Sequence, residues 1–108
     1  MDIRPVSEGH TLVIPKRHYA DIFDTPVNLV AATSKVTKQI ALAAKKATKA
    51  DGISIVQQNG AAAGQDIFHL HLHIIPRFEG HKMPNFNELK VASRESLDQV
   101  AANIKSAM

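Results

Sequence analysis

The sequence predicts a single α+β domain, with an antiparallel sheet, one long helix and a C-terminal helix. Three observations lead to this class: helical periodicity in the middle of the chain, short segments rich in β-branched residues on either side of it, and the alternating run 67–75, "IFHLHLHII". A length of 108 residues allows one hydrophobic core and is too short for two. The contents of 44% apolar and 21% charged residues are those of an ordinary globular protein.

The first half of the chain predicts a strand followed by a long helix. Residues 10–14, "HTLVI", are rich in β-branched side chains and are followed by a proline, which is typical of a strand and its end. Thr25 before Pro26 predicts a helix start with threonine as the N-cap, and Asp51 and Gly52 predict the helix end. Residues spaced by three and four form one face of this helix: Leu29, Thr33, Val36, Ile40, Ala43 and Ala47.

The second half predicts two further strands and a shorter helix. Residues 53–58 form the second strand, and the turn residues of 59–64 let the chain reverse into a third, 67–75, so these two strands are expected to pair antiparallel. The segment 77–90 has no periodicity and is predicted to be a loop. Ser93 is the predicted N-cap of the C-terminal amphipathic helix. The apolar face of that helix consists of Leu97, Val100, Ala101 and Ile104.

The alternation in 67–75 divides the third strand into two faces, because successive side chains of a strand point in opposite directions. One face is apolar and is predicted to be core: Phe68, Leu70, Leu72 and Ile74. The other carries three histidines between two isoleucines: Ile67, His69, His71, His73 and Ile75. Neighbouring histidines on such a face lie roughly 6.6 Å apart, close enough to surround one ligand group. The three-histidine face is therefore predicted to be a site.

Two chemistries fit three histidines on one strand face. A neutral imidazole whose other nitrogen is fixed by a carbonyl group is a nucleophile near neutral pH, and its neighbours can bind phosphate or move a proton. Alternatively, His-x-His on a strand supplies zinc ligands, and a third histidine can complete an open catalytic site. The pattern by itself leaves both open.

Two further features adjoin the predicted site. The segment 59–65, "NGAAAGQ", is a candidate anion-binding loop, because it places glycines and backbone N–H groups beside a side-chain amide. A hairpin turn also needs glycine, so this signal is weak on its own. His10 adds a fourth imidazole if the first strand lies beside the third.

Composition narrows the remaining function classes. The chain has no cysteine, which excludes disulfides, thiolate metal ligands and cysteine nucleophiles. No apolar run approaches the roughly 20 residues that span a bilayer, and the N-terminal "MDIRPVSEGH" lacks the hydrophobic segment of a signal peptide. Several of the lysines behind the net charge of +3 alternate with apolar residues on the central helix, as on a solvated face. We therefore expect a cytoplasmic protein that binds neither membrane nor nucleic acid.

The run "HLHLHII", residues 69–75, resembles the His-φ-His-φ-His-φ-φ signature of the histidine triad (HIT) superfamily of nucleotide hydrolases and transferases, in which φ is apolar. "PVSEGHTLVIPKRHYADIFD" is similar to the first conserved block of that family, "NGAAAGQ" to its phosphate loop and "IPRF" to the usual sequel. The resemblance covers essentially the whole chain and is strongest to the Hint-like and bacterial HIT branches. It implies a single HIT-like domain over residues 1–108.

The resemblance implies a two-step reaction at the α-phosphate of a nucleoside phosphoramidate or dinucleoside polyphosphate. His71 would attack the phosphorus, and water would then cleave the nucleotidyl-histidine. His69 and His73 would hold the site and its protons, and His10 would help to orient or protonate. The implied substrate contacts are those to phosphate, from Gln65, Gly64 and either Gln58 or Asn59, and those to the nucleoside, from Asp2 and Ile3.

The sequence also departs from the family pattern. In relatives a helix and a β-hairpin precede the first block and close one wall of the purine pocket, so a chain that starts at "MDIRP" is expected to be N-terminally shortened, with a half-built base site. Many bacterial relatives carry a Cys-x-x-Cys zinc site in that segment, of which His18 could be a remnant. Without cysteines we expect no metal and no cofactor. Asp66 stands where relatives often have Ser or Thr, and because a carboxylate repels phosphate it is given no binding role.

The expected partners are a nucleotide, with a purine favoured, and a second copy of the chain, because relatives are homodimers. Two alternatives to the hydrolase remain. One is a zinc-binding protein that uses the three-histidine strand, and the other is a nucleotide-binding protein without turnover.

Overall fold

The computed structural model describes residues 1–82 and 89–108 as a three-stranded antiparallel sheet with two helices. In chain order the elements are β1 (Thr11–Val13), α1 (Val27–Thr48), β2 (Gly52–Val56), a single 3₁₀ turn (Ala61–Ala63), β3 (Leu72–Arg77) and α2 (Arg94–Ser106). The α+β class, the antiparallel sheet and the two helices predicted from the sequence are confirmed. The predicted loop 77–90 is described only in part, since 83–88 lie outside the described residues.

β3 occupies the middle of the sheet, between β1 and β2. His73 lies opposite Leu12 of β1 on one side and Val56 of β2 on the other. The pairing with β1 ends where Thr11 meets Ile74, so the last residues of β3 pair with β2 alone. The sheet therefore surrounds His73 with backbone on both sides.

β3 begins later than predicted, at Leu72 rather than at residue 67. The backbone N–H of Leu70 donates to the carbonyl oxygen of Tyr19 at 2.7 Å, so the chain before β3 is bound by the loop that follows β1. A hydrogen bond to a distant loop is not visible in an alternating pattern. Phe68, predicted to face the core, is accordingly 51% exposed, whereas Leu70 and Ile74 are buried as predicted.

Pro76 lies inside β3, opposite Ile53, although it was predicted to end the strand. Because β1 has already ended at that level, β3 is locally an edge strand, where a residue without an N–H group is tolerated. Ile75 is fully buried as well, even though it shares the predicted histidine face. The histidine face is thus open only near the start of the strand.

The two ends of α1 differ from the prediction. Pro26 is the N-cap residue, with φ −57° and ψ 142°, and no side chain caps the helix. The Thr25 hydroxyl donates instead to the carbonyl oxygen of Asp21 at 2.6 Å, so the predicted capping role of Thr25 is wrong. At the other end Lys49 takes the left-handed conformation with φ 58°, and its N–H donates to the carbonyl oxygen of Lys45. The helix therefore ends before the predicted stop.

The hydrophobic core lies between the helices and one face of the sheet. Its buried members are Val13, Ala43, Ala44, Ile74, Val100 and Ile104. The predicted face of α1 is partly correct: Thr33 is buried, whereas Val36 is 43% exposed. Thr33 and Thr37 can be buried because their hydroxyls donate to the carbonyl oxygens one turn earlier, at 2.8 Å each.

α2 begins as the sequence predicts. The Ser93 side chain accepts a hydrogen bond from the backbone N–H of Ser96, which confirms its N-cap role. Within the described part of the chain, neither helix has the length and apolar character needed to cross a membrane.

Candidate active site

His71 is half-buried and immediately precedes β3. Its Nδ1 lies 2.7 Å from the carbonyl oxygen of His69. A carbonyl oxygen can only accept a hydrogen bond, so Nδ1 carries the hydrogen, and in the neutral ring the lone pair is on Nε2. The backbone of the motif itself therefore selects the tautomer in which Nε2 can attack an electrophile.

His73 pairs with His10, which lies 63 residues earlier in the chain. His10 Nε2 is 2.9 Å from His73 Nδ1, and the backbone N–H of Val6 donates to His10 Nδ1 at 3.0 Å. Since Val6 can only donate, the hydrogen of neutral His10 is on Nε2 and points to His73. The hydrogen of neutral His73 is consequently on Nε2. Val6 thus donates to His10, and His10 in turn donates to His73.

Burial sets the charge of this pair. His10 is fully buried, and its pKa is lowered from 6.5 to about 4. Loss of hydration is the main cause, Asp2 acts in the opposite direction, and His73 adds to the lowering. Burial, and then the neighbouring His71, lower the pKa of His73 too. The rings of His71 and His73 are 5.0 Å apart between centroids. His10 and His73 are therefore neutral at neutral pH, as their hydrogen-bond directions require.

Asp2 lies at the edge of the same pair. Its Oδ2 is 3.5 Å from His10 Nε2, and its Oδ1 accepts a hydrogen bond from the backbone N–H of Arg4 at 2.9 Å. The next residue, Ile3, is exposed, and its carbonyl oxygen accepts from Ala92 N–H at 2.8 Å. The structure thus brings the two predicted nucleoside contacts to the side of the buried histidine pair.

His69 belongs to a second and separate pair. Its Nδ1 lies 3.0 Å from Nδ1 of His18, and its Nε2 lies 2.8 Å from the carbonyl oxygen of Pro15. Nε2 must donate to that carbonyl, so Nδ1 of neutral His69 accepts from His18. The three histidines of the motif consequently have three different partners. His69 is bound by the loop after β1, His71 by the backbone of the motif, and His73 by the residue that precedes β1.

Gln65 is buried beneath the predicted phosphate loop. Its amide nitrogen donates to the carbonyl oxygens of Ala20 at 2.6 Å and Ile67 at 3.1 Å, and its side-chain oxygen accepts from Gly60 N–H at 2.7 Å. Both N–H groups are thereby used inside the protein. Gln65 shapes the loop from within in this conformation, and a direct contact with phosphate would require one of these hydrogen bonds to break.

The outer part of the loop holds the other predicted phosphate contacts. Gly64 has φ +96°, and a Cβ added to it would lie 2.6 Å from Nε2 of Gln58, so this position needs glycine for its backbone and for the close approach of the amide. The side chain of Asn59 exchanges two hydrogen bonds with Gln57 and accepts a third from Ile22 N–H. Gln58 and Gly64 therefore lie together, whereas Asn59 binds the loop to the segment after β1.

The zinc alternative can be tested on the available donor atoms. Within residues 1–82 and 89–108, the one group of three ligands with donor atoms all within 4.8 Å of one another is Asp2, His10 and His73, not the three motif histidines. A metal-binding histidine normally donates from its second nitrogen, but His10 accepts a backbone hydrogen bond there. His18 and His69 offer two nitrogens, fewer than the three or four protein ligands of a zinc site. These donor sets fit hydrogen bonding better than zinc.

Sequence reasoning missed three contributors to the site. Val6 acts through its backbone N–H, which no side-chain motif can mark. Gln57 lies in the predicted second strand, and its pairing with Asn59 could have been suspected only from the polar run "QQN". His18 was considered as a remnant of a metal site, and its hydrogen bond to His69 depends on a contact between residues 51 positions apart.

Residues 1–80 match the family described as "HIT domain". The chain is 45% identical over 94 residues to the HIT-like protein MG132 of Mycoplasma genitalium, an alignment that covers 87% of this chain and 67% of that protein. It is 49% identical over 79 residues to the adenylylsulfatase HINT3 of Arabidopsis thaliana, over 73% of this chain but only 40% of the plant protein. The crystal structure of a Hit-like protein from Bartonella henselae matches 100% of this chain and 77% of that one, with a TM-score of 0.91 and 42% identity.

These matches identify the class of protein to which the chain belongs. The chain belongs to the HIT family, as the motif in residues 69–75 predicted. Proteins of this family are generally nucleotide hydrolases.

Proposed function

We propose that the protein is a nucleotide hydrolase or transferase that cleaves at the α-phosphate of nucleoside phosphoramidates or dinucleoside polyphosphates through a nucleotidyl-His71 intermediate. The observation that carries this proposal is the 2.7 Å contact between His71 Nδ1 and the carbonyl oxygen of His69. It directs the lone pair of the ring to Nε2. The 49% identity to a plant adenylylsulfatase, a protein named for hydrolysis of a nucleotide anhydride, supports the same reaction class.

The proposed reaction has two displacement steps. His71 Nε2 forms a bond to the α-phosphorus while the bond to the leaving group breaks, and the electron pair departs with the leaving group. Because Nδ1 keeps its hydrogen, the nucleotidylated ring is cationic and is itself a good leaving group. Water then attacks the phosphorus, the P–Nε2 bond breaks, the electron pair returns to His71 and a proton is released.

His73 supports both steps as a hydrogen-bond donor. The chain from Val6 through His10 places the hydrogen of neutral His73 on Nε2, and the rings of His73 and His71 lie 5.0 Å apart between centroids. A preorganised donor in this position stabilises the negative charge that develops on the phosphoryl oxygens. His69 contributes the carbonyl group that fixes His71, and its own ring is held outside this donor chain.

The substrate contacts follow from the positions of the remaining residues. Gln58 and Gly64, on the outer part of the loop, are proposed to meet the phosphate, with Gln65 and Asn59 holding the loop in shape. Asp2 is proposed to bind the ribose hydroxyls and Ile3 to contact a base, preferably a purine.

The decisive experiment is trapping of the intermediate. Adenosine phosphoramidate and a diadenosine polyphosphate are incubated with the wild type and with His71→Ala, and a nucleotidylated protein is sought by mass spectrometry after rapid acid quench. We expect turnover and an adduct on His71 in the wild type and a loss of activity of about 10³-fold or more in the variant. His18→Ala, which removes a histidine outside the donor chain, is the matched control. Equal turnover in wild type and His71→Ala would disprove the assignment of the nucleophile.

We also propose that the protein is a cytoplasmic homodimer, with the outer edge of β2 and α1 at the interface. β2 is an edge strand, and the large apolar residues Val36, Leu42 and Ile55 are 43%, 62% and 47% exposed. Open edges of this kind pair readily with another strand. Ile55→Glu should reduce the mass measured by light scattering from dimer to monomer, while Met108→Glu at the C-terminus should not. A monomeric wild type would contradict the proposal.

A further inference from the structure

A cavity of about 340 Å³ lies at the end of β3 and shares only Val6 with the residues assigned to the histidine site. One wall is formed by Val6, Ser7 and Pro76, and the other carries three basic side chains, Arg77, His81 and Lys82. None of the lining residues within 1–82 and 89–108 is acidic. Its volume is within the range of small-molecule pockets.

The cavity exists because β1 ends before β3 does. Beyond Ile74 the side of β3 that β1 would cover is left to the segment 6–7, where the Ser7 hydroxyl donates to the carbonyl oxygen of Pro76 at 2.6 Å. This hydrogen bond and the packing of Gly9 against Pro76 hold the N-terminal segment beside the end of β3. The gap is therefore a consequence of strand length in the sheet.

Arg77 is the main positive charge of the cavity. Its guanidinium is half-buried and donates to the Ser54 hydroxyl at 3.4 Å and to the carbonyl oxygen of His81 at 3.2 Å. Both acceptors are neutral, and within the described residues Arg77 forms no ion pair with a carboxylate. A guanidinium has five N–H donors, so several remain for another acceptor. A half-buried arginine normally has an anionic partner, because its charge is costly to dehydrate.

Two carboxylates lie on the other side of Arg77, where Asp51 and Glu79 line a neighbouring cavity of about 280 Å³. Asp51 Oδ2 accepts a hydrogen bond from the backbone N–H of Glu79 at 2.8 Å. Neither carboxylate faces the larger cavity. Within the described part of the chain, Arg77 and Lys82 therefore supply the charge that faces this cavity.

We propose that this cavity is an anion site that binds a phosphoryl group, either as inorganic phosphate or as the terminal phosphate of a nucleotide. Arg77 donates to it from the half-buried wall and Lys82 closes it from the exposed side. The site is distinct from the histidine site, although the two share a wall, because Val6 lines the cavity and also donates to His10. It does not depend on the proposed hydrolase activity.

The test is a titration followed by amide chemical shifts, first with inorganic phosphate and then with AMP. Both ligands should shift the amides of residues 6–7 and 77–82, separately from any shifts in the loop 59–65 that report the histidine site. A response to AMP that is stronger than that to phosphate would identify a nucleotide as the ligand. A response to phosphate alone would identify the free anion.

Arg77→Gln should weaken phosphate binding at residues 77–82 by about tenfold or more, the usual effect of losing a hydrogen bond to a charged group. Lys82→Gln, on the exposed side, should weaken it by about three- to fivefold. Lys38→Gln removes the same charge from the exposed face of α1 and should change nothing. Thermal unfolding verifies that Arg77→Gln is folded. Lys82→Gln also tests phosphate binding at this site, and it changes a residue outside the sheet.

Three results would overturn the proposal. They are shifts confined to the histidine site, affinities at residues 77–82 that Arg77→Gln and Lys82→Gln leave unchanged, and equal weakening by Lys38→Gln. None of these outcomes depends on turnover, so they leave the proposed hydrolase reaction to be judged separately.

Discussion

Two histidine pairs flank His71, and they use the same residue type in opposite ways. The His10–His73 pair is buried, is aligned by a backbone N–H and lies beside the carboxylate of Asp2. The His18–His69 pair has an exposed member and is anchored to a carbonyl oxygen in the loop after β1. Both pairs have similar nitrogen separations, 2.9 and 3.0 Å. The nitrogen separations therefore do not distinguish the two pairs.

What distinguishes the pairs is the direction of their hydrogen bonds and the burial of their rings. In the buried pair the hydrogen bonds run from Val6 through His10 to His73, whose ring centroid lies 5.0 Å from that of His71. In the exposed pair they run away from His71, to the carbonyl oxygen of Pro15. We infer that the buried pair supports the chemistry and that the exposed pair holds the loop.

Among the changes that compare the two pairs, the largest effect is expected from removing His73, the proposed hydrogen-bond donor to the phosphoryl oxygens. His73→Leu should lower kcat/KM by about 10²–10³-fold, the usual consequence of losing one preorganised hydrogen-bond donor. KM should change less than kcat, because the donor acts on charge that develops during the reaction. Steady-state kinetics measures both quantities. A loss of less than about threefold would show that the buried pair has no greater part in the reaction than the exposed one.

The next effect concerns acid stability. His10 binds its proton with a pKa of about 4 in the folded protein and 6.5 when unfolded. Between these values the unfolded chain binds more protons, so the free energy of unfolding should fall as the pH decreases from 6.5 to 4, by about 3 kcal/mol at most from this residue. Above pH 6.5 both states are neutral at His10 and its contribution is constant.

Urea unfolding at pH 7 and pH 4.5 measures this effect. His10→Gln has no titrating ring and should show a smaller loss of stability between the two pH values than the wild type, whatever its stability at pH 7. Identical losses in the two proteins would mean that His10 is not kept neutral by burial. His18→Gln serves as the comparison from the exposed pair.

A smaller effect is expected from Asp2→Asn. The carboxylate raises the pKa of both His10 and His73, against the effect of burial. Its removal should move both titrations to lower pH, which can be followed through the ring C–H signals in NMR spectra. The backbone amide signals of the loop after β1 should stay as in the wild type. Changes in amide signals throughout the chain would indicate a general change of structure rather than a local charge effect.

The smallest effect is expected from the exposed pair. His18→Ala should change the free energy of unfolding by about 0.5 kcal/mol or less, since most exposed substitutions do. Activity should be preserved, because His69 keeps its hydrogen bond to Pro15. A loss of activity comparable with that of His73→Leu would contradict the division between the two pairs.

Local sequence patterns predicted much of the fold. The spacing of apolar residues gave α1 and α2, and Ser93 was identified as an N-cap because the interaction spans three residues. The errors arose where a distant contact outweighs a local preference. Leu70 lies outside the strand because its backbone N–H donates to the carbonyl oxygen of Tyr19. Pro76 is tolerated in β3 because β1 does not extend to the level of Pro76.

The site shows the same division. The contact of His71 with the carbonyl group of His69 is local, the alternation predicted the three-histidine face, and the family resemblance singled out His71 as the predicted nucleophile. The partners of His69 and His73 lie 51 and 63 positions away and could not be paired from the pattern. The hydrogen bond from Gln65, a predicted phosphate contact, to Ala20 was invisible for a related reason, because Ala20 lies 45 positions earlier.

The central place of β3 in the sheet has a consequence for synthesis. β1 and β2 precede β3 in the chain, but neither pairs with the other, since β3 lies between them. Residues 72–77 must therefore be synthesised before this sheet can form. The pairing of β1 with β3 joins residues far apart in sequence, and such long-range contacts form slowly. Until then His10 has no histidine partner and the buried pair does not exist. The hydrogen bond between His10 and His73 consequently cannot form in a nascent chain before β3 has been synthesised.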